Sequence, residues 1–187
     1  MMLSTAEQIS YDPLSWMHIA YTGEKAIHET GVVRSILNKA INQQYAFLPI
    51  TDDVMNDARS YYACENWHYL PEAARCIAAY LYRGELCRSG SSVSLEPVEQ
   101  DFMNSNLRYP VMCKTGVGRT GDMSVLSRAV GLNLCKHFPP VLAQRVPYLF
   151  QPGTITFESV LLPDLLLLRL AIQHVRNYRK HTQAAGH

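Results

Sequence analysis

The amino-acid sequence predicts a single α/β domain over residues 1–187, with a small, mostly parallel sheet flanked by helices and a high helix content. Three observations lead to this prediction. Several segments place apolar residues at helical spacing, and two short apolar runs have the length of strands. One of these runs leads through a glycine-rich loop into a helix. In α/β folds such a loop lies at the carboxyl end of a strand, where ligands bind.

Four segments show the apolar periodicity of amphipathic helices. They are residues 32–44, 71–84, 120–136 and 164–178. Pro71 suits the first turn of its helix, because that turn does not need the missing N–H. Between the second and third segments, Arg88-Ser89-Gly90-Ser91-Ser92 is typical of an exposed loop.

The strands are predicted at residues 45–50 and 107–113. The first is a short apolar run that ends in Thr51-Asp52-Asp53, so it delivers polar side chains onto a loop. The second is a buried strand in which Pro110 favours an edge position or an irregular start. The glycine-rich loop follows it directly.

The composition is that of an ordinary folded domain, with 48% hydrophobic and 18% charged residues among 187. Seventeen basic residues against 16 acidic ones give a net charge of +1. Because no broad positive field results, we expect no nucleic-acid partner, and any anion site must be local.

The cysteine pattern indicates a reducing compartment. There are five cysteines with no Cys-x-x-Cys pair, which argues against a disulfide framework or a zinc site. The first ten residues do not have the pattern of a secretory signal, and the longest apolar run, 160–168, is too short to cross a bilayer. We therefore expect a cytoplasmic protein without a transmembrane segment. A bacterial effector delivered into the host cytosol also fits this pattern.

The loop at residues 113–121 has the composition of a phosphate site. A thiol attacks phosphorus only as the thiolate, which needs positive potential around it. Gly116 and Gly118 let backbone N–H groups turn inward, and the helix that follows adds its positive end. Arg119 can grip two phosphate oxygens at once. A plain glycine-rich turn and a nucleotide-binding loop are the alternative interpretations.

The string Cys113-x5-Arg119-Thr120-Gly121 resembles the phosphate-binding loop of the protein tyrosine phosphatase superfamily. Residues 116–121 have the form usual in classical tyrosine phosphatases, although Met112 replaces their histidine. Lys114 is similar to the basic residue of tensin-type lipid phosphatases and of bacterial inositol-phosphate phosphatase effectors, whereas Gly118 replaces the aspartate that such effectors usually carry. The resemblance covers about nine residues.

This resemblance implies a cysteine-dependent phosphatase that hydrolyses phosphomonoesters through a cysteinyl-phosphate intermediate, with no cofactor and no metal. Cys113 is then the nucleophile, Arg119 holds the phosphate and Thr120 stabilises the thiolate. The implied substrate-binding residues are Lys114, Thr115, Gly116, Val117 and Gly118.

Lys114 favours phosphoinositides or inositol phosphates as substrates, because a second cation in the loop suits extra phosphates on a ring. A protein tyrosine or dual-specificity phosphatase is the direct alternative. A non-catalytic phosphate-binding module is the second.

The general acid is predicted at Asp52 or Asp53, which follow a strand-like run as the acid does in compact members of the superfamily. Asp101 and Asp122 are the alternatives, and a solvated turn or helix cap explains Asp52 and Asp53 equally well. The remaining basic cluster, residues 176–181, suits either peripheral membrane contact or a solvated helix end.

Overall fold

The computed structural model describes residues 4–107, 122–153 and 164–185, and all regular secondary structure in these ranges is helical. The α-helices are α1 (Thr5–Tyr11), α2 (Ile19–Thr22), α3 (Glu24–Ile27), α4 (Gly31–Gln44), α5 (Asp52–Met55), α6 (Ala58–Glu65), α7 (Leu70–Leu81), α8 (Arg83–Ser89), α9 (Pro97–Met103), α10 (Met123–Leu134), α11 (Pro140–Ala143) and α12 (Leu165–Ala185). Single 3₁₀ turns lie at Pro13–Ser15, Trp67–Tyr69, Ser91–Ser94, Cys135–His137 and Val146–Leu149.

The predicted α/β fold is wrong, because no strand occurs in the ranges that the structure describes. Residues 45–50, predicted as a strand, are a turn followed by irregular chain. Their backbone groups bond elsewhere: Phe47 N donates to Asn42 O at 3.2 Å, and Ile50 N donates to Ser10 Oγ at 3.1 Å. The backbone is therefore satisfied by a helix end and by a side chain instead of by a neighbouring strand.

All four predicted helices are confirmed, as α4, α7, α10 and α12, and the last continues to Ala185. The predicted loop at 88–92 is wrong, since α8 runs to Ser89 and a 3₁₀ turn follows. Gly90 ends α8 with φ 75°, a left-handed conformation that glycine adopts without strain. The predicted strand at 107–113 lies outside the described residues except for Leu107, which is irregular.

The chain divides into two compact units. The first unit combines residues 1–68 with residues 135–152. Its aromatic residues form a cluster that includes Trp16 and Trp67, whose rings meet edge to face at 5.8 Å, and Phe47 and Tyr148, which do so at 5.3 Å. Trp67 is packed inside this unit, with an exposed fraction of 2%. That residues 1–187 form one domain stays a prediction.

The second unit, residues 69–134 and 153–187, is built around α7. Helices α9, α10 and α12 all contact α7. Nine of its 12 residues are buried, and four of those are alanines at positions 73, 74, 78 and 79. Small side chains allow close approach from several directions, so this helix is buried around most of its circumference.

Polar contacts fix the helices of this unit. The buried carboxylate of Glu99 on α9 pairs with Arg75 on α7. Arg179 on α12 pairs with Glu72 and lies over the ring of Tyr69 at 5.0 Å. A residue of the basic cluster is thus engaged within its own unit. Across the described ranges, no helix is both long and apolar enough to cross a membrane.

Candidate binding surface

Helix α4 carries an apolar stripe that faces solvent. The exposed fractions are 75% for Val32, 49% for Val33 and 62% for Ile36, and Ala40 is also exposed. Positions 32, 36 and 40 are one turn apart, so these four residues share one face for about 12 Å of helix. Clustered exposed apolar side chains typically mark interaction sites, whereas scattered ones do not.

The opposite side of α4 is fixed to the first unit by polar contacts. Asn38, 6% exposed, accepts a hydrogen bond from Leu14 N at 3.1 Å and donates one to Asp12 Oδ1 at 2.7 Å. Arg34 binds both carboxylate oxygens of Asp12, at 3.0 and 2.9 Å. This bidentate pair makes the position of α4 well defined, so its apolar stripe is displayed on a rigid element.

A groove of about 730 Å³ lies beside the stripe. Its walls are α4, the end of α1 and residues 47–49. From α4 it is lined by Arg34, Ser35, Asn38, Lys39, Asn42 and Gln43. The wall opposite α4 is apolar where Phe47 and Pro49 contribute to it. The groove and the stripe are therefore two adjacent parts of one surface, which we call the α4 surface.

Residues 45–50 are held in place by a buried cation. Arg145, fully buried, donates from one terminal nitrogen to Leu48 O at 2.7 Å and lies over the Phe47 ring at 5.0 Å. Ala46 adopts φ 50°, a left-handed conformation that costs energy for a residue with a Cβ. Leu48 is left 54% exposed. The segment is thus a fixed wall that presents an apolar side chain to solvent.

Two polar groups of the α4 surface lack a partner within the described parts of the chain. Lys39 is exposed and forms no ion pair there, whereas Arg34 is engaged by Asp12. Asn42 Oδ1 is buried and receives no hydrogen bond there. Because α4 itself contains no aspartate or glutamate, Lys39 gives the surface a local positive charge. A carboxylate on a bound molecule would pair with Lys39.

The residues predicted to form a phosphatase site are only partly described. Cys113, Lys114, Thr115, Gly116, Val117, Gly118, Arg119 and Thr120 lie outside the described residues. Asp52 and Asp53 occupy the first turn of α5 and are exposed, a position that suits a carboxylate beside a helix N-terminus. The roles assigned to the loop and to these two aspartates are therefore not tested by the structure.

The two alternative acids also have structural positions. Asp101 is exposed on α9. Asp122 accepts hydrogen bonds from the hydroxyl and the backbone N–H of Ser124 at 2.7 and 2.8 Å, and these bonds lower the pKa of its carboxyl. Asp122 therefore acts as a cap at the start of α10.

The helix α4 was predicted from six apolar residues at helical spacing, at positions 32, 33, 36, 37, 40 and 41. On a helical wheel these residues span about 180°, which is wider than the arc of about 100° that a one-sided surface helix needs. That excess width was the available signal for a second, exposed apolar face. No sequence pattern indicated that Lys39 and Asn42 belong to this surface, because their surroundings depend on segments that are distant in the sequence.

One comparison with known proteins gives a match. The family model described as "Bacterial type III secretion apparatus protein (OrgA_MxiK)" matches residues 6–177. No curated protein matches the chain. No solved structure matches it either.

The family match overturns the predicted activity. It extends over nearly the whole chain and describes a secretion apparatus protein, whereas the phosphatase resemblance rested on about nine residues. The prediction of a phosphoinositide or inositol-phosphate phosphatase is wrong, and so are its alternatives, a tyrosine phosphatase and a phosphate-binding module. The prediction of phosphorylated substrates as partners is wrong as well, because the family is one of secretion apparatus proteins. A role as an effector in host cytosol is not supported.

Proposed function

Because the chain belongs to the OrgA_MxiK family of bacterial type III secretion apparatus proteins, we propose that it is a structural component of that apparatus and works by binding another of its proteins. The match to residues 6–177 carries this proposal. It includes the whole of α4, so the exposed stripe belongs to the part of the chain that the family defines.

The α4 surface is the best supported contact site. Burying a valine or isoleucine side chain contributes about 1.5–3 kcal/mol. Three such side chains that are 49–75% exposed are therefore a large unused source of binding energy. The polar contacts of Asn38 and Arg34 fix the helix beneath them, so little ordering is needed on binding.

We place the chain on the cytoplasmic side of the bacterial apparatus. Cys64, Cys76 and Cys87 form no disulfide within the described parts of the chain, and Cys87 is exposed. An exposed free thiol is kept reduced in a bacterial cytoplasm and is readily oxidised outside it.

The test is deletion of the gene in the bacterium that encodes this chain, followed by complementation. We expect secretion through the type III apparatus to stop and to return when the wild-type chain is supplied. An epitope-tagged chain should also co-purify with the assembled apparatus. Unchanged secretion in the deletion strain would show that the chain is not a required component.

A further inference from the structure

The occupant of the α4 surface has a recognisable chemistry. We infer that it is an amphipathic helix of another apparatus protein, with apolar side chains against Val32, Val33 and Ile36 and a carboxylate against Lys39. This inference rests on the proposed function. It goes further because it names the kind of partner segment and the contact that selects it.

The shape of the stripe favours a helix. Val32, Ile36 and Ala40 form a ridge with a spacing of four residues, and Val33 lies beside it. Helices pack by fitting such ridges into the grooves of a facing helix. About 12 Å of stripe corresponds to roughly two turns of a partner, so two or three apolar side chains on the partner suffice.

The charge of α4 favours an acidic partner. Lys39 lies on the helical wheel next to Val32 and Ile36 and also lines the groove, so it stands at the border between the two parts of the surface. Helix α4 has no carboxylate. A carboxylate on the partner would pair with Lys39 at the edge of an apolar contact, where such pairs set orientation and specificity.

The same charge argues against two other occupants. A second copy of the chain that packed the same face would bring no carboxylate from its own α4 to pair with Lys39. A membrane-surface helix usually carries several lysines or arginines on its polar face. In α4 the second cation, Arg34, is instead engaged by Asp12.

The test is site-specific photocrosslinking in the bacterium. A photoreactive phenylalanine analogue at position 36 of the full chain should crosslink to an apparatus protein, and peptide mapping should locate the crosslink on a helix with an apolar face and an aspartate or glutamate. Lys39→Glu should lower the yield about tenfold through repulsion, and Lys39→Gln should lower it less. Changing the mapped acidic residue to lysine should restore the yield with Lys39→Glu.

Lys180→Glu is the matched control, because Lys180 is exposed on α12 in the other unit and the net charge changes equally. It should leave the yield unchanged. A crosslink to a second copy, or a mapped segment without a carboxylate, would overturn the inference. So would an unaltered crosslinking yield with Lys39→Glu. It would also be overturned if the purified chain bound anionic phospholipid vesicles and Ile36→Asp abolished that binding. Loss of secretion on deletion, together with any of these results, leaves the proposed function standing and removes only the inference.

Discussion

The guanidinium of Arg145 donates a hydrogen bond to the carbonyl oxygen of Leu48 at 2.7 Å, across 97 positions of sequence. A second terminal nitrogen donates to Val141 O at 2.6 Å. Burial lowers the pKa of Arg145 to about 10, so the side chain is still charged at neutral pH. A buried cation thus fixes the wall of the groove through backbone carbonyl groups.

Arg145→Ala should destabilise the protein by about 3 kcal/mol, because it removes two charged hydrogen bonds and leaves Leu48 O without its donor. Arg88→Ala is the control, since Arg88 makes an exposed pair with Glu85 and its loss should cost under about 1 kcal/mol. Urea unfolding followed by circular dichroism measures both. Equal midpoints for the two variants would show that Arg145 does not fix this segment.

Asn38→Leu should cost about 2 kcal/mol. The change leaves Leu14 N without an acceptor and removes the donor to Asp12. Ser35→Ala on the same helix is exposed and should cost under about 0.5 kcal/mol. Thermal unfolding of the two variants compares them. If both melt at the temperature of the wild type, α4 is not held by the Asn38 contacts.

Asp57 caps α6, and its stability contribution should depend on pH. Hydrogen bonds from the hydroxyl and the backbone N–H of Ser60 lower the pKa of its carboxyl. Because the pKa is lower in the folded chain, the carboxylate stabilises the folded state. This stabilisation is complete above the pKa of the unfolded chain, about 4, and is lost as the pH falls through the pKa of the folded chain. Asp57→Asn still caps the helix but does not titrate.

The melting temperature of the wild type should therefore fall more steeply below about pH 4 than that of Asp57→Asn. Thermal melts from about pH 2.5 to about pH 7 give the melting temperature of both proteins as a function of pH. Parallel curves for the two proteins would rule out this role for Asp57.

Thiol reactivity should follow burial. Burial raises the pKa of Cys64 to about 12 and raises the pKa of Cys76 further, so neither forms the reactive thiolate at pH 8. Cys87 is exposed. In a Cys113→Ser background, a coloured disulfide reagent should modify Cys87 quickly, and Cys64 and Cys76 only after unfolding. Mass spectrometry assigns the sites, and fast labelling of Cys64 in the folded chain would contradict the packing of α6.

The sequence predicted the long helices because their apolar periodicity is local. The stripe of Leu167, Leu168, Ala171, Ile172 and Val175 in α12 is buried as the pattern indicates. Residues 45–50 were different. Their apolar content favoured a strand, but Asn42, Ser10 and Arg145 satisfy the backbone. A partner 97 positions away leaves no local signal, so this segment could not be predicted.

The candidate surface was hidden for a related reason. The apolar periodicity predicts that Val32, Val33 and Ile36 share a face of α4. It does not predict whether another part of the described unit covers that face, and in the structure the three side chains are exposed. For the loop at 113–121 the sequence suggested a function that the family match does not support. Its residue types suit phosphate chemistry, yet a string of nine residues weighs less than a family match over residues 6–177. Short motifs need their structural context before they indicate a function.

The most direct measurement is co-purification of the type III apparatus with Ile36→Asp, compared with Leu166→Asp, in a strain that lacks the native gene. The side chain of Leu166 is 60% exposed and that of Ile36 is 62% exposed, so both variants should fold with nearly the stability of the wild type. We expect Ile36→Asp to lose the apparatus and Leu166→Asp to retain it. Equal retention by the two folded variants would contradict the assignment of the α4 surface as the contact site.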